Sequence, residues 1–256
     1  MEDLQRLAIV SIMIIDSLFL SQLNKIDSSW EKFLTPESID LLIDIERNIK
    51  DNQKAYTPIP QKILRFLETS LPDTKVIILG QDPYPQKGVA TGRAFEVGTL
   101  HSWEDKFSNI SLKNIVRAIY HAYNKNYLKY SEIKQKLNSS FSIKPPDEIF
   151  ASWENQGVLL LNTSFTCEIG KPNSHQKLWF PFTHQVLRHI ATNYPHIIWF
   201  LWGNNAKGVV KGIPLKNKIE SMHPMMCYNK PGREDDFLFG RVNAFNETKE
   251  LINWLG

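Results

Sequence analysis

Three uninterrupted apolar runs constrain this chain most: Val76-Ile77-Ile78-Leu79, Val158 to Leu161, and Ile197 to Trp202. A strand that is apolar at every position buries both of its faces, as strands do in parallel sheets covered by helices. The shorter run Ile219 to Met222 reads as a fourth strand. Helical periodicity fills the intervals. Thr35 and Pro36 supply an N-cap and a first helical position for a segment reaching about Lys50, with Ile39, Leu42, Ile43 and Ile49 on one face and Glu46 interrupting the stripe. Leu112 to Tyr123, Phe182 to Asn193 and Asn243 to Leu255 follow the same period. Strands alternating with helices predict an α/β fold, a single domain over residues 1–256 whose parallel central sheet is flanked by helices on both faces. Residues 1–30 read as a helical N-terminal extension of that domain.

Composition narrows the chemistry. A net charge of +3 permits an anionic partner but is far from a strongly basic nucleic-acid coat. Cys167 and Cys227 are the only cysteines and stand far apart. Neither a disulfide framework nor a four-cysteine metal or iron-sulfur site can be built from them. Such usage fits a reducing, intracellular setting, cytoplasmic or, in a nucleated cell, nuclear. The apolar stretch Leu7 to Leu23 raises a signal peptide or a membrane span, yet Glu2 and Asp3 precede it and Asp16 interrupts it. A helix docked on the core is the reading it supports.

Every strand ends in a polar cluster. Gln81-Asp82-Pro83-Tyr84 follows the first, Asn162-Thr163-Ser164 the second, Gly203-Asn204-Asn205 the third and His223-Pro224 the fourth. In a parallel sheet the loops after the carboxyl ends share one edge, so Asp82, Asn162 and His223 are expected to face one crevice. Singly, each is an ordinary turn residue. Four together point to a site.

The strings GQDPYP (80–85), GRAFEV (92–97), QGVLLLNTSFT (156–166), NSHQKLWFPFT (173–183), FLWGNNAK (200–207) and the pair His223-Pro224, in this order and spacing, resemble the uracil-DNA glycosylases of the uracil-N-glycosylase branch. A fainter match runs from Trp30 through Thr57-Pro58-Ile59-Pro60. The resemblance implies hydrolysis of the N-glycosidic bond of deoxyuridine in DNA, releasing uracil, leaving an abasic site and starting base-excision repair. It implies that Asp82 sits near the sugar C1′, positioning water and stabilising an oxocarbenium-like ion, while His223 donates to uracil O2 as negative charge leaves on the ring. It places Gln81, Tyr84, Phe95 and Asn162 around the base: Asn162 on the O4 and N3–H edge, Phe95 stacked, and Tyr84 filling the space of a thymine methyl. No metal and no cofactor are implied. As partners it implies DNA containing uracil, duplex or single-stranded, and a proteinaceous glycosylase inhibitor. A monomer with no membrane partner is expected.

Departures from the family pattern cluster where DNA is held. GQDPYP ends in Pro85 where the family has His, and Asn109-Ile110 replace a Pro-Pro ahead of the retained Ser111-Leu112. The glycine-serine loop becomes Gly203-Asn204, and Met225-Met226-Cys227-Tyr228 stand where the family has Ser-Pro-Leu-Ser. Two readings fit: Met225 or Met226 supplies the apolar wedge that fills the gap left by an extruded base and Lys230 or Arg233 the phosphate grip, or the methionines simply pack the loop. Lys207, Lys211, Lys216 and Lys218 form a basic run that either tracks the backbone or is a solvated loop. Two other functions fit the altered grip: a non-catalytic DNA-binding or replication-accessory protein on the same fold, and a glycosylase retuned to another base. A bulky group at C5 of the base clashes with Tyr84, which counts against the latter.

Overall fold

The computed structural model describes residues 17–137 and 139–256. Its strands are β1 (Tyr56–Thr57), β2 (Val76–Gly80), β3 (Val158–Asn162), β4 (Cys167–Glu168), β5 (Ile198–Trp202) and β6 (Asn217–Ser221). Its α-helices are α1 (Pro36–Asp51), α2 (Ile110–Asn124), α3 (Tyr130–Lys134), α4 (Pro146–Asn155), α5 (Gln176–Asn193), α6 (Gly203–Val209) and α7 (Ala244–Thr248). Four strands form one parallel sheet in the order β3-β2-β5-β6, while β1 and β4 pair antiparallel as a separate ribbon. The register sets Gly80 opposite Asn162 and Trp202 opposite Ser221, so the carboxyl ends finish along one edge.

The continuous apolar runs divide by alternation. Ile77, Leu79, Leu159, Leu161, Trp199 and Leu201 enter one core, packed by α1 and α5. Val76, Ile78, Val158, Leu160, Phe200 and Trp202 enter the other, packed by α2, α4 and the C-terminal segment around Phe245 and Trp254. With each large side chain contributing about 1.5–3 kcal/mol when fully buried, the two faces hold the strand ends in fixed relation. Among the described residues no helix is long and apolar enough to cross a membrane.

Four expectations change. The last strand starts at Asn217 and ends at Ser221, because an edge strand tolerates the exposed Asn217, Lys218 and Glu220 that hide it from an apolar search. Lys218 therefore sits on β6, 2.9 Å from Glu220, and Lys207 sits on α6. The basic run is spread over three kinds of structure, not one loop. Helix α5 begins at Gln176, with Pro181 inside it. The C-terminal helix stops at Thr248: Thr248 Oγ1 donates to Ala244 O at 2.7 Å and accepts from Trp254 Nε1 at 3.0 Å, so the chain turns back to bury Trp254. The Leu7 to Leu23 reading falls largely outside the described residues; within them a 3-10 helix covers Leu20–Lys25, with Phe19 and Leu20 buried.

Glu46, the apparent flaw in the α1 stripe, is a built contact. Its buried carboxylate accepts from Leu18 N at 2.9 Å, Phe19 N at 3.2 Å and the Ser17 hydroxyl, and pairs with Lys50 at 2.8 Å. Burial alone would raise its pKa, but Lys50, Ser17 and the two amides outweigh burial and hold it below the usual 4.5. Stability from this group is fully present above its unfolded pKa and is lost as pH falls through the lowered folded value. Glu46→Ala is expected to cost about 1–3 kcal/mol in urea unfolding at pH 7 and to flatten the acid dependence of stability. An unchanged midpoint and slope would show that the contact contributes nothing.

Candidate active site

Gly80 ends β2 at a position where any side chain would collide: a Cβ there would lie 2.4 Å from Asn162 Oδ1 and 2.8 Å from Ala94 Cβ. The missing atom lets the Asn162 side chain lie across the strand end. Backbone bonding then continues past the sheet, with Thr163 N donating to Gly80 O at 3.0 Å, Ser164 N to Gln81 O at 2.9 Å and Thr163 Oγ1 to Gln81 O at 2.8 Å. These bonds carry the rigidity of the ladder into the loop that bears Asp82.

Asp82 is held at both oxygens. Oδ2 accepts from Asn173 N at 2.7 Å and Oδ1 from Gln81 Nε2 at 3.3 Å, and Gln81 also donates to the Asn173 side chain. Asn173 reaches this position in the left-handed region, at φ 65°. Partial burial raises the Asp82 pKa above 3.8, opposed by the Asn173 amide and Gln81. Nearby, burial and the Asp82 charge push the Cys167 thiol up to about 12, and its Sγ donates to Pro83 O at 3.4 Å. That cysteine is an inert packing group at neutral pH.

Tyr84 and Phe95 form the apolar wall. Burial pushes the Tyr84 phenol up to about 12, so it stays neutral. Phe95 has φ 65°, a conformation costing a bulky residue about 1–3 kcal/mol. Its neighbours offset this: Arg93 bridges Glu96 through two bonds of 3.0 and 3.1 Å, Arg93 reaches Glu154 at 2.5 Å, and Ala94 N donates to Leu160 O at 3.2 Å. The ring thereby meets Trp202 edge-on at 5.5 Å and lies 6.3 Å from the His223 ring.

His223 follows β6. Its Nδ1 accepts from Met225 N at 3.2 Å, which leaves the ring proton on Nε2. Burial lowers its pKa below 6.5, so the neutral ring prevails at pH 7. Gly203, at φ 86°, makes room for it, since a Cβ there would sit 2.8 Å from His223 Cβ.

Gln81, Asp82, Tyr84, Phe95, Ser111, Asn162, His223 and Met225 line one crevice of about 240 Å3. Asn162 is 4% exposed, and its amide has no hydrogen-bond partner among the described residues. A buried carboxamide open to a cavity is a site for a ligand that supplies both a donor and an acceptor. A larger depression of about 670 Å3 lies at the other end of the sheet, by Lys75, Gly157 and His196, away from these groups.

A model of the uracil DNA glycosylase superfamily matches residues 68–246. The chain belongs to the uracil-DNA glycosylase superfamily. It is 31% identical to the uracil-DNA glycosylase of Fusobacterium nucleatum over 241 residues, covering 91% of this chain and 94% of that protein. Uracil-DNA glycosylase 1 of Listeria monocytogenes (strain EGD-e) is 34% identical over 236 residues, 88% of this chain and 96% of its own. In fold the chain resembles the wild-type UNG of Nitratifractor salsuginis, with a TM-score of 0.65 at 23% identity over 84% of this chain and 89% of that one. It also resembles mimivirus uracil-DNA glycosylase, with a TM-score of 0.66 at 20% identity over 94% and 88%. A variant of a mimivirus UNG, with a TM-score of 0.67 at 23% identity over 87% of this chain and 83% of that one, was solved in complex with UGI.

In this glycosylase the expected grip residues separate. Ser111 and Met225 reach the crevice, whereas Asn204, Met226, Lys230 and Arg233 are not among its lining residues. Asn204 is exposed on α6, and the Arg233 guanidinium lies over the Tyr228 ring at 4.8 Å. Asp236 organises the loop between them: this buried carboxylate accepts from Tyr228 N at 2.7 Å, Leu238 N at 2.9 Å and Phe239 N at 3.0 Å. Asn114 on α2 donates to Pro224 O at 2.6 Å, and Arg117 donates to its oxygen at 2.8 Å. Sequence reasoning missed Asn173, Asp236 and Asn114 as site-builders. Only Asn173 lay within a quoted string.

Gly80→Ala is expected to displace Asn162 and to strain the contact with Ala94, lowering stability as well as lowering kcat/KM for the glycosylase by tenfold or more. Asp236→Ala frees three amides at once and is expected to cost about 1–3 kcal/mol while raising proteolysis between residues 223 and 236. Wild-type kinetics in the first variant, or an unaltered cleavage pattern in the second, would refute these assignments.

Proposed function

We propose that Asp82, Asn162 and His223 carry uracil excision in this protein. The chain is a uracil-DNA glycosylase, an enzyme that hydrolyses the N-glycosidic bond of deoxyuridine in DNA and leaves an abasic site in base-excision repair. As the C1′–N1 bond breaks, the sugar gains positive charge and the bonding pair leaves on the pyrimidine. Asp82 faces the sugar, aligning water for C1′ and stabilising the cation. Burial raises its pKa, and the Asn173 amide and Gln81 oppose that rise by holding the charged form. Neutral His223 donates its Nε2–H to uracil O2, so the anion departs without a strong acid.

The observation that carries this reading is the unpartnered, buried Asn162 amide in the same crevice as Asp82 and His223. It satisfies O4 and N3–H of uracil together, whereas cytosine presents the reversed pattern and would leave buried polar groups unpaired. Phe95 stacks on the ring and Tyr84 closes the space at C5. Because a stacked base cannot reach this crevice, the nucleotide must be extruded from a duplex or arrive on a single strand. Met225, 54% exposed yet lining the crevice, is better placed than Met226 to act as the wedge. Ser111 at the crevice, with Asn204, Lys230 and Arg233 outside it, supplies contacts to the DNA backbone. A proteinaceous inhibitor seated over this face would compete with DNA.

One labelled oligonucleotide series with uracil, thymine or cytosine at a single position tests the reading. Strand scission after alkali is expected only with uracil; binding without base release would overturn it. Asp82→Asn is expected to lower kcat by about 10²–10⁴-fold and His223→Ala by about 10²–10³-fold. Tyr84→Ala should admit thymine, and Asn162→Asp should erode the preference over cytosine. The rate should fall with acid as Asp82 takes up its proton and stay level as pH rises above 7, because burial holds the His223 pKa below 6.5 and the neutral ring prevails there. A decline on the alkaline side that disappears in His223→Ala would instead make the histidine a charged acid. Met225→Ala should lose activity on duplex DNA while keeping it on single strands.

A further inference from the structure

A second hollow, of about 690 Å3, opens beside the catalytic crevice and shares Ala90 with it. Its volume falls within the roughly 300–1,000 Å3 of small-molecule pockets, which is room for a nucleobase and its sugar. The surface is mainly apolar, lined by the half-buried Tyr56 and by Ile59, which is 56% exposed overall. Lys54, Lys62 and Lys87 stand around it. Glu168 neutralises Lys54 at 2.9 Å, but Lys62 and Lys87 have no ion-pair partner among the described residues.

The walls of the hollow are tied to the catalytic loop. Gly92 presses against the Lys62 carbonyl so closely that a Cβ would come within 2.2 Å of it, joining the Pro58–Lys62 turn to the segment that carries Phe95. On the opposite side, Gly170 N donates to Pro85 O and Ile169 N to Ala55 O, each at 2.9 Å. The hollow is therefore a fixed continuation of the crevice.

An apolar floor set between unpaired ammonium groups has the chemistry of a single-stranded nucleic acid track, in which bases pack on apolar and aromatic faces while phosphates meet lysines. The strand that delivers the extruded nucleotide to Asp82 is the chain that passes nearest to it. We propose that this hollow is a second DNA subsite, holding the unpaired flank of the substrate strand with a base against Ile59 and Tyr56 and the neighbouring phosphates at Lys62 and Lys87. The proposal rests on the glycosylase reading of the crevice and extends it: single-stranded uracil DNA is gripped beyond the reacting nucleotide.

Fluorescence anisotropy with labelled single-stranded oligonucleotides carrying one uracil tests it, using full flanks and flanks trimmed on one side or the other, across a salt series. Lys62→Gln combined with Lys87→Gln is expected to weaken binding of the full-length strand by tenfold or more. It should also reduce the slope of log K against log salt by about 1.4, from roughly 0.7 per phosphate contact on single strands. Ile59→Ser should weaken binding with the slope unchanged. Trimming the flank that enters the hollow should produce the same loss in the wild type and abolish the effect of both variants. Unchanged affinity and slope in both variants, or a loss that persists on every trimmed strand, overturns the subsite. A wild-type protein that shows the expected binding pattern but releases no uracil refutes the glycosylase reading and leaves the subsite standing.

Discussion

The parallel register that sets Gly80 against Asn162 is the constraint from which the site is built. Because Gly80 has no Cβ, the carboxamide of the neighbouring strand crosses the strand end at a distance no other residue would permit. The same register starts the run of bonds from Thr163 and Ser164 to Gly80 and Gln81 that fixes the Asp82 loop. Asp82 and Asn162 therefore owe their relative placement to sheet geometry, which two buried faces enforce.

Electrostatic preorganisation follows from that placement. The Asp82 charge is stabilised by one backbone amide and one side-chain amide and opposed by burial, which on balance raises its pKa. His223 is tuned the other way, half-buried with its pKa lowered, and its tautomer is set by Met225 N. The two groups differ in sign of demand: one is an anion awaiting a cation, the other a donor awaiting an anion. A reaction that separates charge along one breaking bond is served by such a pair without a second carboxylate.

Much of this was legible in the sequence because the informative residues sit at the ends of strands that are apolar throughout. Val76 to Leu79, Val158 to Leu161 and Ile197 to Trp202 announce a covered parallel sheet, and the polar residues after them can only lie along its edge. What escaped has a common physical cause. Asn217 and Lys218 belong to an edge strand whose pairing is backbone-driven and leaves no hydrophobic trace. Trp254 ended the last helix through a bond to Thr248 that periodicity cannot foresee. Asn173 acts through its backbone N–H and a left-handed φ, and Asp236 through three amides of its own loop; neither function is written in the side-chain type. Glu46 read as an interruption because its partners, Ser17 to Phe19, lie far away in sequence.

The buried Asp236 carboxylate has a consequence for how such a protein can change. With Met222 N bonded to Asp235 O at 2.7 Å, and Asp236 gathering Tyr228, Leu238 and Phe239, the chain between His223 and Asp236 is pinched shut at its base. Residues between Tyr228 and Asp235 can be inserted, deleted or exchanged while the backbone at His223 stays anchored by β6 on one side and by Asn114 at Pro224 and the Met225 N–H on the other. Mutation can thus explore the DNA-facing tip as a separate module, at little risk to the histidine that meets the departing base.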